Sequence, residues 1–372
     1  MKGLLSMEHE IYLDAPDLGP VEKEYLGKCI DTTFVSTAGP FVPEFEEKFA
    51  RYAGVGAAVA LQSGTAALHM ALYALGIGPG DEVIVPALTF VATVNPVLYV
   101  GATPVIVEVD PETWNLDPGE VEKAITPKTK ALIPVHLYGN PCHLDVLAAI
   151  AGKHNLYLIE DATESLGASY RGRQTGAFGD FGCFSFNGNK LITTGGGGMI
   201  TTGDTGLAGQ VKFLINQARD SGRGYYHPEM GFNYRMTNIE AALGLAQFTR
   251  LKDFLARKRA FNRIYREILG DLPCLKFQQE YEGAAGSYWL NCIRLENEID
   301  LSAFTDKLAR KNIPTRRIFM PLGEMPYLKK YARPSPRARE IYEKGICLPS
   351  SACNTIDTIE EVALTIRRVL VG

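Results

Sequence analysis

Ser185-Phe-Asn-Gly-Asn-Lys190-Leu-Ile-Thr-Thr-Gly-Gly-Gly-Gly-Met199 sets one lysine between a short apolar-aromatic run, Phe181 to Phe186, and four consecutive glycines. The run reads as a buried strand. The glycines permit tight turns and close approach of backbone to a ligand. A lysine drawn out of water beside them loses solvation as an ammonium, so its pKa falls and its amine becomes a nucleophile able to form a Schiff base. A surface lysine next to a flexible loop fits the same letters, and the rest of the chain has to decide. The glycines do not make a P-loop, because the lysine precedes them and no Gly-Lys-Ser/Thr follows. No GxGxxG opens a helix after a first strand, which makes a nicotinamide-binding domain the weaker reading.

Outward from this stretch, strands and helices alternate. Ala57 to Leu61 reads as a strand, and Thr65 to Leu75 as a helix apolar almost all round and therefore buried. After the Gly78-Pro-Gly-Asp81 turn come a strand at Glu82 to Val85, a helix at Phe90 to Tyr99 interrupted by Pro96, and a strand at Pro104 to Val107. Pro118 to Ile125 and His143 to His154 read as helices, Ala131 to Val135 and Leu156 to Ile159 as strands, the last ending in Glu160-Asp161. Strands apolar throughout, each followed by a helix, predict a mostly parallel sheet covered on both faces. Ligands bind such sheets at the carboxyl ends of the strands, where Ser63-Gly-Thr65, Thr89-Phe90, His136 to Asn140 and Asp161 fall.

The first 40 or so residues carry Pro16, Pro20 and Pro40 and a short helix near Val21 to Ile30, and read as an arm lying on the main body or on a partner subunit. Pro43 opens a helix with Phe45, Phe49 and Tyr52 on one side, closed by Gly54. Thr237-Asn-Ile-Glu240 is a capping box that starts a long helix to about Leu269. Strands at Cys274 to Phe277 and Tyr288 to Leu295 follow, with helices at Asp300 to Lys311 and Thr355 to Val371. We therefore expect an arm and large domain over residues 1–255 and a smaller α+β domain over 256–372.

The totals exclude several classes. The chain has 372 residues, 46% hydrophobic and 22% charged, with a net charge of −4 and no long run of one sign, which argues against a nucleic-acid surface. No stretch approaches the ~20 apolar residues of a membrane span, and Met1 to Met7 is too short for a signal peptide. The cysteines, at 29, 142, 183, 274, 292, 347 and 353, form no CxxC pair, so no metal site is expected and a reducing cytoplasm suits them.

Three further stretches bear on chemistry. Gln62-Ser-Gly-Thr-Ala66 joins a strand to a helix start, where free N–H groups favour a phosphate, although an N-cap explains the same residues. Asp161 ends a buried strand and needs a cation such as a protonated pyridine nitrogen, or else caps a turn. Phe90 could stack on an aromatic cofactor or serve as core.

Taken together, Ser63-Gly-Thr65, Thr89-Phe90, Glu160-Asp161 and Ser185 to Gly198 resemble the DegT/DnrJ/EryC1/StrS sugar aminotransferases, from about Thr33 to the C-terminus. The resemblance implies the fold type I of pyridoxal 5′-phosphate (PLP) enzymes: a large α/β domain with a mostly parallel mixed sheet between helices, and a small C-terminal α+β domain. Lys190 matches the lysine that holds PLP as a Schiff base and then moves protons. Asp161 matches the acid on the pyridinium nitrogen, Phe90 the stacked aromatic, and Gly64, Thr65 and Ser185 the phosphate ligands. Asn187 lies near the cofactor or the sugar. Asn233 matches a residue reaching the neighbouring subunit's PLP phosphate, which implies a homodimer with shared sites. Tyr225, Arg235, Arg316 and Arg317 are candidates for the nucleotide diphosphate, for which arginine's bidentate fork is suited. Many members carry glutamine where this chain has Glu164, facing the PLP O3′. A carboxylate there stabilises a protonated imine, so Glu164 is expected to raise the imine pKa.

The Phe186 to Gly198 stretch, Leu137-Tyr-Gly-Asn-Pro141 and Lys344-Gly-Ile-Cys-Leu-Pro349 look most like the branch that aminates C4 of UDP-linked 4-keto-6-deoxy-N-acetylhexosamines, with glutamate as donor and pyridoxamine phosphate as the intermediate cofactor form. GDP-4-keto-6-deoxymannose is the alternative substrate, ahead of a 3-keto sugar. The family's dehydratases carry histidine in place of the lysine, and a non-catalytic regulator would need Lys190 or Asp161 disabled. Lys190 and Asp161 are both present.

Overall fold

The computed structural model describes residues 10–296 and 299–371, so the Met1 to Met7 segment lies outside the described residues. The apolar runs pair into a seven-stranded sheet, numbered here in chain order: β1 Ala57–Leu61, β2 Glu82–Pro86, β3 Thr103–Val107, β4 Thr129–Leu132, β5 Tyr157–Asp161, β6 Phe181–Ser185 and β7 Gly198–Thr202. Their spatial order is β1-β7-β6-β5-β4-β2-β3. From β6 to β3 every neighbour is parallel, while β7 runs antiparallel to both β1 and β6. Val59, Ile84, Leu132, Ile159 and Cys183 are fully buried, as continuous apolar strands covered on both faces require. The result is the α/β architecture with a mostly parallel mixed sheet that the sequence predicts.

Helix Gly64–Ala74 leaves the end of β1 and buries nearly its whole surface, including Leu68, Met70 and Leu72. The helix expected over Phe90 to Tyr99 is shorter: Asn95–Tyr99 is helical, with Pro96 in its first turn. Proline lacks the N–H that a helix interior needs but is tolerated at the start. Residues 90–94 are turns instead, which leaves Phe90 half-exposed.

The long helix expected from Asn238 to Leu269 is two, Asn238–Thr249 and Leu251–Leu269, parted at Arg250 with ψ near 0°. The Arg250 guanidinium bonds Asp17 at 2.9 Å and Glu22 at 3.1 Å. The arm thus lies on the main body, with its helix Pro20–Asp31 against Asn238–Thr249. The second helix carries Phe254 and Leu255 in the core beneath β6 and β7, then Phe261, Tyr265 and Leu269 in a separate core. That second core lies under a four-stranded antiparallel sheet in the order Leu275–Phe277, Asn291–Leu295, Gly345–Leu348, Arg316–Arg317, with helix Ile356–Val371. The proposed division at 255/256 falls inside this helix. The strand expected from Tyr288 begins only at Asn291, because Tyr288 takes a left-handed φ of 51°.

Behind β5, Glu160 accepts hydrogen bonds from the N–H groups of Gly176, Phe178 and Gly179. It also meets Nε2 of the fully buried His136 at 3.1 Å. Because His136 Nδ1 accepts from the Cys142 N–H, the ring proton sits on Nε2 and donates to Glu160.

The glycine run closes the sheet onto the start of the first buried helix. Gly197 N donates to Gln62 O at 2.8 Å, with φ at 84°. A Cβ on Gly198 would lie 2.4 Å from the Ser63 carbonyl carbon and 2.7 Å from Gly64 N, against backbone that cannot yield. Gly198→Ala is therefore expected to cost about 3 kcal/mol of stability, read from urea unfolding. A loss below about 0.5 kcal/mol, the scatter of neutral surface changes, would contradict the close contact.

Candidate active site

At the carboxyl ends of β5 and β6 lies a cavity of about 450 Å³ lined by Gly64, Thr65, Phe90, Asp161, Glu164, Ser185, Asn187, Lys190 and Arg316. Nine residues singled out in the sequence thus share one pocket. The other substrate candidates lie elsewhere. Arg317 stacks on the Tyr342 ring, donates to its carbonyl, and borders a separate surface groove. Tyr225 is 86% exposed under the Arg219 guanidinium. Arg235 pairs with Leu61 at the edge of β1, with a buried Nε that has no partner among the described residues. Asn233 is exposed and pairs with Asn216.

One end of the pocket suits an anion. Ser63 caps helix Gly64–Ala74, its hydroxyl accepting from Ala66 N at 3.0 Å, so the cap reading holds. The first N–H groups of a helix have no intrahelical acceptor, and with the helix dipole they favour a phosphate, beside the Thr65 and Ser185 hydroxyls. A Cβ on Gly64 would come within 2.8 Å of the Ser185 Cβ and 2.9 Å of the Thr163 methyl, so only glycine lets these groups converge.

At the other end sit two buried carboxylates in unlike settings. Asp161 accepts from the hydroxyls of Thr93 and Thr163, each at 2.7 Å, and from the Thr163 N–H at 3.2 Å. Thr89 in turn bonds Thr93 at 2.8 Å. Glu164 accepts only one backbone N–H, from Tyr138 at 2.7 Å, and its other oxygen lies 4.0 Å from Lys190 Nζ. Tyr138 holds a left-handed φ of 56° to make that bond.

The Lys190 amine lies 3.8 Å above the centre of the Trp289 ring. Burial holds its pKa below the ordinary lysine value, against the opposing pull of Glu164 and Asp161. Trp289 is itself fixed: its Nε1 donates to Asn189 O at 2.6 Å, and its carbonyl accepts from the buried Lys258 at 2.8 Å. Lys258 also bonds Ser350 O, and burial pushes its pKa down to about 7. Thr93, Thr163, Asn189, Trp289 and Phe319 line the pocket without having been anticipated. Thr93 lies four residues after Thr89 at a strand end, Thr163 two after Asp161, and Asn189 beside Lys190 in the opening stretch. Trp289 and Phe319 come from the second sheet's surroundings, far away in sequence.

This donor set fits PLP: a helix start with hydroxyls for a phosphate, a buried carboxylate for a ring nitrogen, an exposed aromatic face and a lysine. Among the described residues no cluster of three or more His, Cys, Asp or Glu could hold a metal ion, and no helix is long and apolar enough to cross a membrane.

Residues 16–367 match the model of the DegT/DnrJ/EryC1/StrS aminotransferase family. The GDP-perosamine synthase of Caulobacter vibrioides is 44% identical over 97% of this chain and 98% of its own. That of Escherichia coli O157:H7 is 43% identical over 90% and 92%. Among solved structures, Spr1654 of Streptococcus pneumoniae in its PLP form superposes with a TM-score of 0.92 at 27% identity, over 97% of this chain and 98% of its own. Both names carry a GDP sugar, which matches the alternative substrate of the sequence analysis better than the UDP-linked N-acetylhexosamine.

Burial pushes the Glu164 carboxyl up to about 7, against the opposing pull of Lys190 and the Tyr138 N–H. Unfolded, a glutamate titrates near 4.5. Between these values the folded protein binds a proton that the unfolded chain releases, so the contribution is full below about pH 4.5 and is lost as pH rises through about 7. Wild type is therefore expected to lose about 2 kcal/mol relative to Glu164→Gln between pH 5 and 7, read from urea unfolding at a series of pH values. Parallel curves over that window would contradict the assignment.

Proposed function

The chain belongs to the DegT/DnrJ/EryC1/StrS aminotransferase family, and from that premise we propose that it moves an amino group from glutamate to C4 of GDP-4-keto-6-deoxymannose. It is a PLP-dependent sugar aminotransferase. The amination chemistry is carried by the Lys190 amine, poised between Glu164 and Trp289 with its pKa lowered. The GDP sugar is supported by the two relatives named GDP-perosamine synthase and takes precedence over the UDP sugar.

In this reading Gly64, Thr65 and Ser185 would hold the cofactor phosphate, Asp161 would pair with the pyridine nitrogen, and Phe90 would stack on the ring. PLP supplies an electron sink and carries the amino group between donor and acceptor. Lys190 is the nucleophile and then the acid and base that moves the proton at the reacting carbon, for which an amine titrating nearer neutrality is suited. Glu164, once ionised, places its charge 4.0 Å from the Lys190 nitrogen and would hold the proton there. A homodimer completes the site through Asn233, which with the exposed Tyr225 and Met230 presents a surface suited to burial against a second copy.

The absorbance of purified wild type beside Lys190→Ala tests the chemistry. Wild type is expected to show a visible cofactor band that glutamate bleaches, and Lys190→Ala to lack the lysine-linked band. A wild type that binds PLP but ignores glutamate would remove the donor assignment. Of the two 4-keto sugar nucleotides, the GDP sugar is expected to give at least about tenfold higher kcat/KM; the reverse order would restore the UDP reading. In Glu164→Gln the pH midpoint of the visible band is expected to fall, and an unchanged midpoint would sink the role given to Glu164.

A further inference from the structure

The segment from Tyr12 to Asp17 runs past the active site and is stitched down along its length. Leu13 O accepts from Ser350 N at 2.8 Å, Ala15 O from the Ser351 hydroxyl at 2.6 Å, and Tyr12 exchanges two hydrogen bonds with Asn354. These contacts deliver one side chain to the pocket wall. The Asp14 carboxylate, 13% exposed, takes Nη2 of Arg316 at 2.6 Å and Nδ2 of Asn189 at 2.8 Å on the same oxygen. Arg316 and Asn189 both line the cavity, and Asn189 adjoins Lys190.

The charges in the cavity narrow what Arg316 can do. Among the described lining residues the cations are Lys190 and Arg316, against Asp161 and Glu164. With Lys190 engaged at the cofactor, Arg316 is the cation left for a second anion. Its guanidinium bonds only Asp14 among the described protein groups, so most of its fork is free. The amino donor must bring a carboxylate within reach of the reacting nitrogen, and a preset guanidinium fork takes a carboxylate bidentately. A free arginine would first have to give up rotamer freedom to do so.

We propose that Asp14 is a positioning residue for the amino-donor half-reaction: it holds Arg316 so that the open edge of the guanidinium receives the donor's carboxylate beside Lys190, while the diphosphate of the nucleotide sugar is held by other groups. This rests on the aminotransferase reading with glutamate as donor, and replaces the sequence-based assignment of Arg316 to the diphosphate. Asn189 ties the same carboxylate to the lysine loop, so the arm, the loop and the second sheet meet at one oxygen atom.

The test uses the PLP-loaded enzyme and two unreactive probes, glutarate for the donor and GDP-mannose for the acceptor, with binding measured by calorimetry. Asp14→Asn keeps the shape and loses the charge. It is expected to weaken glutarate binding and raise KM for glutamate about tenfold, leaving GDP-mannose affinity within about twofold and kcat less affected than KM. Asp14→Glu should recover part of the glutarate affinity. Arg316→Lys keeps the charge but loses the fork, and should show the same selective loss if Asp14→Asn does not fold. Unchanged glutarate binding in both variants would overturn the proposal, as would a selective loss of GDP-mannose. Equal loss of both ligands with a lowered Tm would overturn it too, reducing Asp14 to a structural tie. Failure of the underlying reading shows separately, in a wild type whose cofactor band glutamate leaves untouched.

Discussion

The approach of Gly198 to the peptide joining Ser63 and Gly64 is the contact on which the site depends. It leaves no room for a β-carbon, and beside it Gly197 bonds Gln62 O at 2.8 Å. One backbone-on-backbone contact therefore fixes where the lysine loop returns to the sheet and where the first buried helix begins. Because β7 pairs with both β1 and β6, the strand leading into Lys190 and the strand leading into Ser63 are held in register by the strand that the glycines introduce. The start of helix Gly64–Ala74 and Lys190 thus share one fixed frame.

Within that frame, the two carboxylates are differentiated by their neighbours. Asp161 is supplied with two threonine hydroxyls and a backbone N–H, while Glu164 has a single backbone donor and an amine at 4.0 Å. Unequal settings for paired acids are how one site separates charge stabilisation from proton exchange. Lys190 rests on the face of Trp289, which provides electrostatic attraction without a hydrogen-bond acceptor that would occupy the amine. Burial, not the ring face, lowers its pKa, and the absence of an acceptor on that face leaves its lone pair accessible once the proton has gone.

Most of the main sheet was legible, because continuous apolar runs bounded by turns carry a strong local signal. The strands at 57–61, 82–86 and 157–161 sit where the runs are. The errors have local physical causes. Pro96 lies in the first turn of a helix and does not interrupt a longer one, and Arg250 breaks a periodic pattern where it binds acids of the distant arm. At the site, residues beside a strand end or a glycine turn, such as Asp161, Ser185 and Lys190, announced themselves. Trp289, Phe319 and Asp14 did not, since nothing near them in sequence marks them. Their roles arise from the second sheet and the arm folding back over the first. Arg317 and Arg316 are adjacent in sequence yet face different cavities, as alternation along a strand dictates.

The His136 and Glu160 pair has a use beyond holding the loop at 176–179 to β5. Its imidazole N–H is fully enclosed, and its second nitrogen is occupied by the Cys142 N–H. Such a proton can reach solvent only when the sheet parts from the loop over 136–142. Its lifetime against exchange, followed by NMR, therefore clocks the opening of the molecule's interior at the wall directly behind the active site.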